Sequence, residues 1–146
     1  MTLRIREWLL LAPSAIAPRI LDATAAMADR MADWADCNWQ INTESDLDHY
    51  TFSVAGAVGL LLSDLWAWSD GTQPRRVEAF GFGRGLQAVN VLRNRAEGRV
   101  RGVEFFPEVS GQEEMTAYAR RNLFLAGAAL TSLAQGHATD FCQILL

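Results

Sequence analysis

There is no lysine in this 146-residue chain; all 13 of its basic residues are arginine. A Schiff-base amine and the phosphate-binding lysine of a P-loop are therefore excluded. Cysteine is almost absent, with only Cys37 and Cys142. That rules out a disulfide framework and a C-x-x-C pair, and it fits a reducing compartment. His49 and His137 stand apart, with no Cys or His at ligand-like spacing, so no zinc site follows. A basic surplus is missing too. The net charge is −4 and the pI near 5.1, which argues against a nucleic-acid partner, because phosphate neutralisation needs excess cations. There is no G-x-S-x-G, no internal repeat and no useful run of period two. Gly81, Gly83 and Gly85 lack the G-x-G-x-x-G spacing of a dinucleotide loop, and no strand precedes them.

Long hydrophobic runs are missing as well. The uncharged, strongly apolar stretch of residues 50–63 stops at Asp64 and falls short of the ~20 residues that cross a bilayer. It predicts a buried helix. The apolar residues 8–11 follow two arginines without a clean cleavage site, which argues against a signal peptide.

What remains is ample for a core. Half of the residues are apolar, 21% are charged and the mean hydropathy is +0.03, values of a folded chain rather than a disordered one. The length suits one compact domain, residues 1–146. The dominant period is helical: Ile16, Ile20, Ala23, Met27, Met31 and Trp34 recur at three-to-four spacing, with Asp22, Asp29, Asp33 and Asp36 largely on the other face. The pattern predicts helices over residues 14–39, 48–68, 74–99 and 112–133, with a last one starting at residue 140. Ser45 or Asp46 is the expected cap of the second helix, and Pro74 the first turn of the third. The fold class is all-α.

Charge is distributed unevenly. Seven arginines lie between residues 75 and 101 against Glu78 and Glu97, whereas residues 22–70 hold nine carboxylates and one arginine. Two readings stand on charge alone: a local anion site built from guanidinium forks, or an exposed face paired with the acidic helices. Gln87, Asn90, Asn94 and Glu97 fall at i, i+3, i+7 and i+10, one helical stripe of side-chain oxygens. Such oxygens suit Mg²⁺ and its diphosphate partners; a solvated face or a hydrogen-bonded seam has the same periodicity. Five tryptophans fit core and rim packing, or a surface facing a partner or a membrane.

Three segments carry a resemblance. Y-T-F-S-V-A-G-A-V-G-L-L-L-S from Tyr50, L-Q-A-V-N-V-L-R-N-R-A-E-G from Leu86, and R-G-V-E-F-F-P from Arg101 are similar to the squalene/phytoene synthase family. Its pattern is Y-x-x-x-V-A-G-x-V-G, then Q-x-x-N-I-L-R-D-x-x-E-D, then R-G-x-x-Y-L-P. The resemblance covers roughly the C-terminal half of the usual domain and implies a partial isoprenoid-synthase-like helical bundle. It implies head-to-head condensation of prenyl diphosphates, farnesyl or geranylgeranyl. By position, Tyr50 takes the catalytic tyrosine. Val54, Val58, Leu62 and Leu86 line the prenyl tail, Gln87, Arg93 and Arg101 bind substrate, and Asn90, Asn94 and Glu97 hold Mg²⁺.

The chain departs from the family at the metal. Asn94 and Gly98 stand where the family has aspartate, and the first aspartate-rich motif has no counterpart before Tyr50; Asp29 and Asp33 imitate its spacing but lie too close. Each missing carboxylate removes about a few kcal/mol of attraction to a dication at an effective dielectric near 20. Two expectations follow: a transferase that is incomplete on its own, or a non-catalytic module that binds prenyl diphosphate or a partner without metal chemistry. The expected setting is cytoplasmic with peripheral membrane contact. A homo-oligomer through residues 50–68, or a polypeptide supplying the missing half, would cover the apolar face.

Overall fold

The computed structural model describes residues 4–100, 102, 105, 111–133 and 136–145. Among the described residues the regular structure is helical and no strand occurs. The elements are α1 (Ile5–Leu9), α2 (Ala17–Asp36), α3 (Glu44–Thr51), a π-helical turn (Phe52–Gly56), α4 (Ala57–Ser69), α5 (Arg76–Arg93), α6 (Arg95–Val100), α7 (Gln112–Ser132) and α8 (His137–Leu145). The expected all-α class holds.

On α2, Ile20, Ala23, Met27, Met31 and Trp34 are half-buried, whereas Asp22, Asp29, Asp33 and Asp36 are exposed. The helix stops where Asn38 and Trp39 turn left-handed, with φ of 53° and 57°. Such a backbone costs a bulky residue about 1–3 kcal/mol, and Trp39 offsets it by packing on the core cluster that holds Ile41 and Leu47.

The second predicted helix starts earlier than expected and is capped differently. Thr43 is the cap: its hydroxyl accepts from the Asp46 amide at 3.1 Å, while Asp46 accepts from the Thr43 amide at 2.9 Å. This reciprocal box makes Asp46 the third helical residue rather than the cap. The Thr43 hydroxyl, with the Asn42 and Thr43 amides, holds the Asp46 carboxyl below its ordinary range against the opposing effect of burial.

From Glu44 to Ser69 the chain is helical without a break, and this 26-residue run is long and apolar enough to cross a membrane by length and composition. Only 28% of its most apolar window is buried, so the expectation of a buried helix is corrected, and the run is somewhat longer than the expected 48–68. Trp68 is the one large apolar side chain of this run that is strongly exposed; Trp8, Leu10, Leu11 and Phe124 are more so.

Helix α5 is the organising element, packed most extensively on α7 and also on the π-helical turn and α4. It begins at Arg76, so Pro74 lies outside it rather than in its first turn. Glycine permits the contact. A methyl group on Gly59 would sit 2.2 Å from the Ala79 carbonyl oxygen, and one on Gly83 would sit 2.3 Å from that of Ala55. The glycine series that fails as a nucleotide loop is thus a helix-packing seam.

The predicted third helix does not run through to residue 99. It ends at Asn94, whose φ of −98° and ψ of 12° leave the α region, and α6 begins at Arg95. Across α2, α4 and α5, Asp64 accepts from Arg19 at 2.6 Å and from Arg76 at 2.7 Å. Burial raises the Asp64 pKa, but the two guanidinium groups outweigh it and hold the carboxyl below its ordinary range.

Candidate functional site

The main core gathers Leu47 and Tyr50 from α3, Ala88 and Val91 from α5, and Met115, Tyr118 and Ala119 from α7. At its edge a pocket of about 270 Å³ opens, lined by Tyr50, Gln87, Asn90, Val91, Asn94, Glu97, Gly98 and Phe105. The break at Asn94 shapes it. Glu97 reaches the pocket from α6, although the stripe of oxygens is expected on one unbroken helix.

Tyr50 forms the apolar wall. Its ring stacks on Phe105 with centroids 4.8 Å apart, and Trp34 meets its edge at 5.7 Å. Its hydroxyl accepts from Gln87 Nε2 at 3.3 Å. Burial pushes the phenol pKa above its ordinary value of 10, and the Gln87 bond opposes this only in part. At neutral pH the group is a protonated phenol.

The polar wall is neutral apart from Glu97 among the described lining residues. Asn94 Nδ2 donates to Asn90 Oδ1 at 2.7 Å, which commits the Asn90 oxygen to its neighbour. Among the described residues no three His, Cys, Asp or Glu side chains come together. One carboxylate and two mutually bonded carboxamides do not fit the magnesium cluster that the resemblance implies, because a hard dication needs several anionic oxygens.

The other proposed contacts scatter. Val54 packs against the Tyr50 core. Leu86 packs on a second cluster built from Phe82, Ala126 and Cys142. Leu62 lines an apolar void with Trp66, Phe82 and Cys142, whose volume of about 20 Å³ has room for little more than one water. Val58 is half-buried on α4. These side chains do not form one channel with the Tyr50 pocket. Arg93 is exposed at the end of α5 and does not line the pocket. Arg101 and Pro107 lie outside the described residues.

Behind the pocket is a polar network that sequence reasoning missed. Arg84 forms an ion pair with Asp48 and donates to the Tyr118 hydroxyl from Nη2 at 2.6 Å. Tyr118 in turn donates to Asp48 at 2.8 Å and lies 2.9 Å from the hydroxyl of fully buried Thr51. The signal was an arginine set within the glycine series of α5. It sits where only close-packed neighbours can surround it.

The squalene/phytoene synthase family model matches residues 10–139. The chain belongs to the squalene/phytoene synthase family. Its helices accordingly form the family's all-α isoprenoid synthase fold. No curated protein matches the chain. Within this family member, the pocket brings together five of the residues singled out from the sequence: Tyr50, Gln87, Asn90, Asn94 and Glu97.

Proposed function

We propose that this family member is an isoprenoid-diphosphate transferase of the head-to-head type, incomplete by itself, whose Tyr50 pocket receives farnesyl or geranylgeranyl diphosphate. The observation that carries this reading is the pocket itself, where a buried aromatic wall faces side-chain oxygens and amides across about 270 Å³. The Tyr50 ring face would stabilise an allylic carbocation, and its hydroxyl, held protonated by burial, would keep a proton at the Oη atom. Gln87 would orient that hydroxyl. Departure of diphosphate requires counter-charge that a single carboxylate at Glu97 does not organise, so a second polypeptide would supply the remaining acidic groups. The half-exposed apolar run of α3 and α4 supports work at a membrane surface, where prenyl chains partition.

The donor set also favours a second reading, a module that binds prenyl diphosphate without converting it. One comparison separates them. Diphosphate release from farnesyl and geranylgeranyl diphosphate is measured with the chain alone and with a family fragment carrying the first aspartate-rich motif. Calorimetry with farnesyl thiodiphosphate reports binding. Release in the mixture supports the transferase, binding without release supports the module, and neither overturns both.

A further inference from the structure

Two side chains of α5, Gln87 and Arg84, make polar contacts with α3, and these differ greatly in strength. On the pocket side, Gln87 meets the Tyr50 hydroxyl at 3.3 Å, a long and neutral hydrogen bond. One helical turn earlier on α5, Arg84 engages Asp48 by an ion pair and lies 3.3 Å from the Thr51 hydroxyl, and these two residues flank Tyr50 on α3. The Arg84 guanidinium lies over the Phe80 ring at 4.8 Å and the Tyr118 ring at 5.4 Å. It is 12% exposed, against 42% for Asp48. Charge-assisted bonds in a low-dielectric setting outweigh a single neutral bond.

We propose that Arg84 is the positioning residue of the pocket: by clamping Asp48, Thr51 and Tyr118 together it fixes the register of α3 on α5, and so holds Tyr50 against Gln87 and Phe105. Arg84 does not line the pocket and acts only through Tyr50. Its importance for reactivity rests on the reading of this pocket as the prenyl-diphosphate site, but the clamp does not.

The geometry explains why one arginine is suited to the role. Its planar fork reaches the carboxylate and two hydroxyls at once, which a lysine ammonium on a single stem does not reproduce. Asp48 keeps access to water, so removing Arg84 leaves no sealed, unpaired charge and the helical bundle should survive.

The test needs no ligand. The chain has two tyrosines, Tyr50 and Tyr118, so ring-labelled tyrosine gives two sets of NMR signals, assigned with Tyr50→Phe. In Arg84→Gln the Tyr50 ring signals should move toward unstructured positions and lose their cross-peaks to Phe105 and Gln87. The indole signals of Trp66, held edge-on against Phe141 in another part of the core, should stay in place. Native Tyr50 signals in a folded Arg84→Gln protein would overturn the proposal. If that variant does not fold, Asp48→Asn replaces it: a smaller Tyr50 displacement in the same direction supports the clamp, and unchanged Tyr50 signals overturn it. Absence of both diphosphate release in the complemented mixture and binding of farnesyl thiodiphosphate would refute the proposed function while leaving this result intact.

Discussion

Tyr50 lies nearly flat on Phe105, their ring planes 19° apart. Tyr50→Phe keeps this stack and removes only the hydroxyl. Loss of the Gln87 hydrogen bond should cost about 1 kcal/mol or less. Phe105→Ala removes the stack itself, worth about 0.5–1.5 kcal/mol beyond the buried area. Urea unfolding of both variants should rank Phe105→Ala as the more damaging. If the proposed chemistry holds, diphosphate release in the complemented assay should fall most in Tyr50→Phe.

The glycines of the bundle should respond in opposite directions. In Gly59→Ala the new methyl would collide with a backbone carbonyl; α4 and α5 must then separate, at a cost of about 1–3 kcal/mol or more. In Gly127→Ala, on α7, the methyl meets no other atom within 4 Å, so better helix propensity should add about 0.5–1 kcal/mol. Thermal unfolding checks the pair. Equal destabilisation would mean that the seam is looser than described.

Stability should decline at both ends of the pH scale, for different reasons. In the folded protein Tyr50 keeps its proton to higher pH than in the unfolded chain. Its contribution is therefore complete below pH ~10 and is lost as pH rises through the folded value. The alkaline limb should flatten in Tyr50→Phe. Asp64 behaves oppositely. Its folded pKa is depressed by Arg19 and Arg76 against the effect of burial, so its contribution is lost as pH falls below ~4 through the folded value. Both arginine partners are well exposed, which limits the effect to about 1 kcal/mol. Urea midpoints of wild type and Asp64→Asn should differ at pH 7 and converge in acid.

Magnesium should distinguish this chain from one with restored carboxylates. Asn94 and Gly98 both line the pocket with Glu97. The double variant N94D/G98D would bring three acidic side chains to one place, a donor set that a hard dication accepts. At Mg²⁺ concentrations about tenfold above its dissociation constant, Tm of that variant should rise by about 3–6 °C. Wild type should not follow. An equal rise in both would show that the existing residues already suffice.

Much of this architecture was legible because it depends on periodicity. The spacing from Ile20 to Trp34 places the inner face of α2, and the acidic residues between them face water. Tyr50 and the Gln87–Asn94 stripe were also readable, since a helix carries such residues to one side. What escaped depended on pairing between distant segments. Asp48, Arg84 and Tyr118 are unremarkable in their own helices and become a network only when α3, α5 and α7 meet. The cap at Thr43 was misplaced because Ser45 and Asp46 offer equivalent chemistry two and three residues later. The helix break at Asn94 gives little warning, because no glycine or proline marks it and polar side chains continue past it.

The π-helical turn at Phe52–Gly56 sits between the part of the helix that carries Tyr50 and the part seated in the glycine seam. A π-helical turn closes i→i+5 bonds and so holds one residue more than an α-helical turn. Deleting a single position here would let the span close as ordinary α-helix, with the phenol still aimed into its cavity and α4 still in its groove. An added residue finds no such slack and would swing everything upstream by about the ~100° that an α-helical residue carries, so single-codon insertions across this span should abolish the pocket where single-codon deletions spare it.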